Sequence, residues 1–341
     1  MELEARGHAV RWLTLPANPP DLMVLPPEQR APTVIAQVMT SRDNLDEVRT
    51  ELSRVRTDAM VVDCLLFGAL AAARLLQIPT ACFVHTVPGG LGGPTSGFPS
   101  AALLSTSIAA MLESMGLPAE DEPWALWSIA NPIVASFREL DLPVARAVAE
   151  FDWIGPLIPR PSTLRVTEGA HILVSLSTYP GFRALEQPKA QRILDGLSGL
   201  DRVVHLTAPN LTIEDLRIPD NVITHGFVPH EKLLEDAALL ITHGGHGTLC
   251  TSLAYGVPLL VIPNPAADQP YLADRIHAMG AGRALGYDAE PEQIRAAVSL
   301  ILEDASYALT ARALQATILS TPGAARAADR IEALVPAPHT L

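Results

Sequence analysis

Apolar residues gather in short blocks separated by longer stretches of mixed polarity. The blocks AVRWLT (9–14), AMVVDC (59–64), PTACFV (79–84), HILVSLS (171–177), RVVHLT (202–207), NVITHGF (221–227), ALLITHG (238–244) and VPLLVIP (257–263) have strand length and carry β-branched residues. Several are apolar at consecutive positions, which suits a strand covered on both faces. Helical periodicity fills 66–77, 291–303 and 323–334. Strand alternating with helix predicts an α/β protein with parallel sheets flanked by helices. The Pro-rich stretch from Gly155 to Gly169 breaks the alternation and sets a boundary between two doubly wound domains, 1–155 and 156–341, facing each other across a cleft. The last helical segment is placed to pack back across that boundary. PGGLGGPTSGFPS (88–100) follows a strand, but its glycines miss the dinucleotide fingerprint and Pro94 interrupts it; it reads as a flexible surface loop, with a substrate lid as the alternative.

Composition narrows the partners. The chain has 341 residues, 48% hydrophobic and 18% charged, enough for a large core and two domains. A net charge of -13, from 24 Lys and Arg against 37 Asp and Glu, without a basic cluster, speaks against a nucleic-acid partner. Cys64, Cys82 and Cys250 sit in apolar contexts without metal-ligand spacing and read as buried thiols in a reducing compartment. The longest apolar region, Met60 to Val84, is broken by Asp63, Arg74, Gln77 and Pro79, so no integral membrane segment is expected. The start of the chain lacks the order of a signal peptide, and a cytoplasmic protein is the expectation.

Chemistry concentrates after ALLIT. His243, Gly244, Gly245, His246, Gly247 and Thr248 fall at the carboxyl end of a predicted parallel strand, where open sheets bind ligands. The glycines let a ligand approach the backbone, and the following helix offers free N–H groups at a positive dipole end. His243 adds a hydrogen bond or positive charge, and Thr248 a hydroxyl, both suited to a diphosphate. The alternative is a tight Gly-Gly turn with Thr248 capping the helix. At the next strand end Asp268 and Gln269 form a second polar cluster whose acceptors and donors suit sugar hydroxyls.

HGGHGT (243–248) with GVPLLVIP (256–263), DQPYLADRI (268–276) and GAG (280–282) resembles the donor-binding signature of bacterial antibiotic and macrolide glycosyltransferases, enzymes of the GT-B fold that use nucleotide-sugar donors. The likeness extends to VSLST (174–178), NVITHGFVPH (221–230), VVDCLLFGALAAARLLQIPTACFVHT (61–86) and RGHAVRWLT (6–14). It implies that His243, Gly245, Gly247 and Thr248 bind the diphosphate, with Ser177 helping from the facing loop. Phe227 and Val228 would lie against the base, and Asp268 and Gln269 would hold the sugar. Ser177 reads equally as a strand-end cap and Val228 as a core valine, while His246 shapes the turn. Thr251 stands where plant relatives carry a ribose-gripping Glu, which favours a thymidine-diphosphate deoxysugar over UDP. No Asp-x-Asp pair occurs, so no metal is implied, and the nucleotide sugar is a substrate rather than a cofactor.

The resemblance also implies that Asp63, at the end of MVVD, orients a catalytic histidine, where the simpler reading is a helix cap. That histidine belongs to a loop after a first strand that is missing here, so the expectation is an N-terminally truncated acceptor domain. His85, at another strand end, reads as part of the acceptor pocket, with a substitute base as the minor alternative. His171, His205, His225, His230 and His277 read as structural. The expected activity is inverting, metal-independent transfer of a hexose or deoxyhexose to a hydroxyl of a small hydrophobic natural product chosen by the 88–150 region. The competing expectations are a helper protein that binds a nucleotide sugar without turnover, and a sugar-nucleotide epimerase.

Overall fold

The structure is a computed structural model that describes residues 6–9, 27–41, 43–92, 101–120, 123–165 and 168–335. In chain order its elements begin with α1 (Pro27–Val34), α2 (Asp43–Arg54), β1 (Met60–Asp63), α3 (Phe67–Leu75), β2 (Thr80–Val84), α4 (Pro88–Gly92), α5 (Ala101–Ser114), α6 (Pro123–Ser128), β3 (Ile133–Val134), α7 (Leu142–Ala147) and β4 (Asp152–Trp153). They continue with β5 (His171–Ser175), α8 (Arg183–Leu197), β6 (Val204–Thr207), β7 (Val222–His225), α9 (Glu231–Leu234), β8 (Ala237–Thr242), α10 (His246–Ala254), β9 (Leu259–Val261), α11 (Gln269–Ala278), β10 (Gly282–Ala284), α12 (Pro291–Glu303), α13 (Ala305–Ser320) and α14 (Ala324–Glu332). The predicted strand 9–14 lies almost wholly outside the described residues, as does the segment 1–5 ahead of it. Among the described residues no helix is long and apolar enough to cross a membrane.

Packing divides the chain into two compact units. The first comprises Met1–Phe83, Ala102–Pro132 and Ile331–Leu341; the second comprises Val84–Ala101 and Ile133–Arg330. The division differs from the single break drawn at residue 155. The reason is hydrophobic: Val87, Phe137 and Leu140 are buried in one cluster with Leu240, Leu253, Leu259 and Leu272. In the first unit β1 and β2 run parallel, Met60 beside Thr80 through Asp63 beside Phe83. Phe67 stacks on Trp127, whose indole N–H donates to the Cys64 carbonyl at 2.8 Å. All three cysteines are buried and none is in a disulfide, as their apolar contexts predicted.

The second unit holds a six-stranded sheet in the order β10-β9-β8-β5-β6-β7, parallel throughout. Alternation sends Leu239 and Ile241 of β8 to one face, against Ile193, Leu194 and Val298 from α8 and α12. Leu240 points to the other, against Leu249, Leu253, Ile276 and Ile318 from α10, α11 and α13. Both faces are covered, which is why these strands read as continuous apolar runs. Strands leave β5 in one direction through β6 and β7, and leave β8 in the other through β9 and β10. The carboxyl ends of β5 and β8 therefore flank the point where the winding reverses, the usual place for a ligand crevice. The segment 88–100 departs from the expected surface loop over its first part: Pro88–Gly92 is a short helix with Pro88, Gly89, Gly90 and Leu91 buried. Residues 93–100 lie outside the described residues.

Candidate functional site

The chain leaves β8 through His243, Gly244 and Gly245 and enters α10 at His246. Gly244 adopts φ +91°, and a Cβ there would lie 3.0 Å from Val261 Cγ1 and 3.4 Å from the Gln269 carbonyl oxygen, so the turn requires glycine. Gly245 is the N-cap and supplies no side-chain cap, and Thr248 lies inside the first turn rather than capping it. The first-turn N–H groups of α10 thus have no capping side chain, at the positive end of the helix. A Cβ on Gly247 would meet nothing within 4 Å, which leaves a clear approach to these groups.

His243 lies beside this terminus with only 8% of its surface exposed. Burial first, then the charge of Lys189, push its pKa down to about 4, against a backbone hydrogen bond with Ser175 that raises it. Burial therefore favours the neutral imidazole at pH 7, which leaves the hydrogen bond of the two roles expected of His243. Its Nδ1 is buried and has no hydrogen-bond partner. The ring can fold against the turn because residue 245 is glycine: a Cβ there would stand 2.8 Å from Nε2. His246 is occupied elsewhere, within 2.9 Å of Ser136 Oγ and 3.3 Å of Cys250 Sγ, consistent with a turn-shaping role.

Beneath the turn is a polar network that sequence reasoning missed. Lys189 donates to the Ile262 carbonyl at 3.0 Å and to Asn264 Oδ1 at 2.8 Å, and stands 3.7 Å from Glu186. Glu186 accepts from the Ser177 N–H at 2.7 Å and from Asn264 Nδ2 at 3.1 Å. The Asn264 N–H donates to Gln269 Oε1 at 3.1 Å. Ser177 and Gln269, expected on facing loops, are thus the two ends of one bonded array, with the Gln269 amide oxygen already used. Burial lowers Lys189 to about 8, and burial also raises Glu186. An acidic and a basic residue three apart on a helix read as a solvated face, so no sequence signal marked them; the Asn in PNP (263–265) after a strand end was the available hint.

Phe227 and Val228 line a cavity of about 390 Å³ with Leu176, Thr178, His230 and Thr251. Phe227 is 81% exposed, an apolar ring open to a planar ligand, and Val228 lines the same wall rather than the core. Thr251 turns its hydroxyl back to the Gly247 carbonyl at 2.7 Å. Asp268 sits at the start of α11, where burial raises its pKa and the Thr86 hydroxyl donates to its Oδ2. His85 is exposed just past β2. In the other unit, Asp63 ends β1, and its Oδ1 accepts from the Leu65 N–H at 2.9 Å in the turn before α3, whose N-cap is Leu66 rather than Asp63.

Parallel α/β units with a glycine-rich helix terminus at the switch point are the architecture of GT-B glycosyltransferases. The glycotransferase of kitacinnamycin superposes with a TM-score of 0.71 at 25% identity, covering 92% of this chain and 84% of that one. Residues 191–334 match the family described as erythromycin biosynthesis protein CIII-like, C-terminal domain, and the chain is similar to macrolide and antibiotic glycosyltransferases. It is 29% identical over 228 residues to 3-alpha-mycarosylerythronolide B desosaminyl transferase of Saccharopolyspora erythraea, covering 65% of this chain and 53% of that protein. It is 32% identical over 169 residues to oleandomycin glycosyltransferase of Streptomyces antibioticus, covering 49% and 39%. The chain thus matches about half or less of the length of these curated relatives.

Proposed function

We propose that the chain transfers a hexose or deoxyhexose from a nucleoside-diphosphate sugar to a hydroxyl of a small hydrophobic natural product, with inversion and without a metal. The observation that carries the reading is His243 Nδ1, buried and unpartnered beside the uncapped terminus of α10. A bound diphosphate supplies the partner that Nδ1 lacks and lies against the first-turn N–H groups. In the transfer the acceptor oxygen attacks the anomeric carbon from the face opposite the diphosphate. The bond from that carbon to the diphosphate oxygen breaks with its electron pair going to the leaving group, and the acceptor proton passes to a base. Prearranged donors at the helix terminus stabilise the charge that grows on the diphosphate. The open face of Phe227 stacks on the nucleobase, and Asp268 meets the sugar. Asp63 takes the role of orienting the base, and His85 that of an acceptor-side residue.

Titration calorimetry with dTDP and UDP on the full chain, His243→Ala and Asp268→Ala tests the site, followed by acceptor-dependent nucleotide release across phenolic and macrolide acceptors. Loss of one hydrogen bond to a charged ligand group amounts to ~1.5 to 3 kcal/mol, so dTDP affinity is expected to fall about tenfold or more in His243→Ala. Unchanged affinity in both variants overturns the site. Binding without release under any acceptor supports the helper reading, and turnover of the sugar without acceptor supports an epimerase.

A further inference from the structure

We infer that Thr86 sets how many sugar hydroxyls Asp268 can take, and thereby which donors the site accepts; the inference rests on the donor reading above. A carboxylate grips two neighbouring hydroxyls by giving one oxygen to each. In this chain Asp268 Oδ2 already accepts from the Thr86 hydroxyl, which takes one of its two lone pairs and weakens it as an acceptor for a sugar hydroxyl.

Thr86 is fixed in that position from both sides. It is 2% exposed, and the next residue, Val87, is wholly buried in the apolar cluster of the second unit. Two residues further on, the Gly89 N–H donates to Asp141 Oδ2 at 2.8 Å, and Asp141 Oδ1 accepts from the hydroxyl of Tyr271 on α11. Gly90 lies directly on the Asp268 side chain, where a Cβ would come within 2.8 Å of the Asp268 Cβ. The α4 segment and the start of α11 are therefore latched together through Asp141, and the latch carries both partners of the Thr86 to Asp268 bond. Thr86 acts as a resident hydroxyl in the sugar subsite. A donor with hydroxyls at both positions facing Asp268 must either share Oδ2 with it or displace it and leave a buried hydroxyl to find another partner. A donor lacking one of the two leaves it in place.

The test is calorimetric titration of the full chain, Thr86→Val and Thr86→Ser with dTDP, dTDP-glucose, and dTDP-glucoses deoxygenated singly at C2, C3 and C4. In the native chain one of the singly deoxygenated donors is expected to bind about tenfold or more tighter than dTDP-glucose, the range over which an unpaired buried polar group discriminates. Thr86→Val removes that preference, Thr86→Ser keeps it, and dTDP alone binds all three proteins alike. A native chain that binds dTDP but takes dTDP-glucose as tightly as every deoxygenated donor overturns the inference, whether or not the variants fold. So does a Thr86→Val protein that binds dTDP and keeps the native preference. Failure of the native chain to bind dTDP overturns the donor reading itself and this inference with it.

Discussion

Lys189 and Glu186 stand 3.7 Å apart on one turn of α8, each only 1% exposed, and tie the loop after β5 to the loop after β9. Two charges so deeply buried are held by their mutual attraction and by the hydrogen bonds around them. Lys189→Met leaves the Glu186 carboxylate without its cation, and a loss of ~3 to 5 kcal/mol in unfolding free energy is expected. The double variant Glu186→Gln with Lys189→Met strands no charge and should recover much of that loss. Urea unfolding of both proteins reads the difference.

Acid stability follows from His243. Its pKa falls from the ordinary value near 6.5 to about 4 on folding, so between those values the unfolded chain holds a proton that the folded chain does not. The stabilisation is complete above pH 6.5 and disappears as the pH falls toward 4, a difference of ~3 kcal/mol for a shift of that size. His246, also pushed down to about 4 by burial, contributes with the same sign. Urea midpoints at pH 7, 5.5 and 4.5 should decline, and His243→Gln should flatten the decline. A native profile level across this window contradicts the buried neutral histidines.

Two glycines of the same turn separate folding from binding. Gly244→Ala forces an L residue into φ +91° against Val261 and should cost ~1 to 3 kcal/mol of stability. Gly247→Ala meets nothing within 4 Å and lies inside α10, where Ala is favoured over Gly by ~1 kcal/mol. Thermal unfolding should show the second protein at least as stable as the native one, while calorimetry shows weaker dTDP binding because the added methyl narrows the approach to the helix terminus. Full affinity in Gly247→Ala would remove the phosphate from this place.

The thiols give a simple check of the core. Burial pushes Cys250 up to about 12 and raises Cys82 as well, so neither forms the nucleophilic thiolate at neutral pH. Ellman's reagent should label the folded protein slowly and all three cysteines once it is unfolded in urea. Rapid labelling at pH 7 would place at least one thiol outside the core.

The sequence reading succeeded where the signal was local. ALLIT followed by HGGHGT carries a strand, a turn and a helix start within a dozen positions, and the physical constraints on Gly244 and Gly245 come from neighbours in the same stretch and the next strand. Strands β3, β4 and β10 are two, two and three residues long and fall below any recognisable pattern. Helix α4 has the composition of a loop and owes its buried place to Asp141 and Tyr271, which follow it by 52 and 182 residues. The same holds for Glu186, Lys189 and Asn264: their residue types suit a solvated surface, and only the tertiary fold brings them under the turn at 243–245. The sequence left His243 open between a hydrogen-bonding and a positively charged group for the same reason, since burial decides between them.

Thr86 and Asp268 are 182 residues apart in the chain, and Asp152 pairs with Arg326 across 174. At a synthesis rate of ~5 to 20 residues per second, a ribosome needs ~10 to 40 s to deliver the second member of each pair after the first. During that interval Val87, Phe137 and Leu140 have emerged, yet the helices that will cover them have not been made. The nascent chain therefore exposes these residues for tens of seconds, a stage at which a holding chaperone would have the most to do.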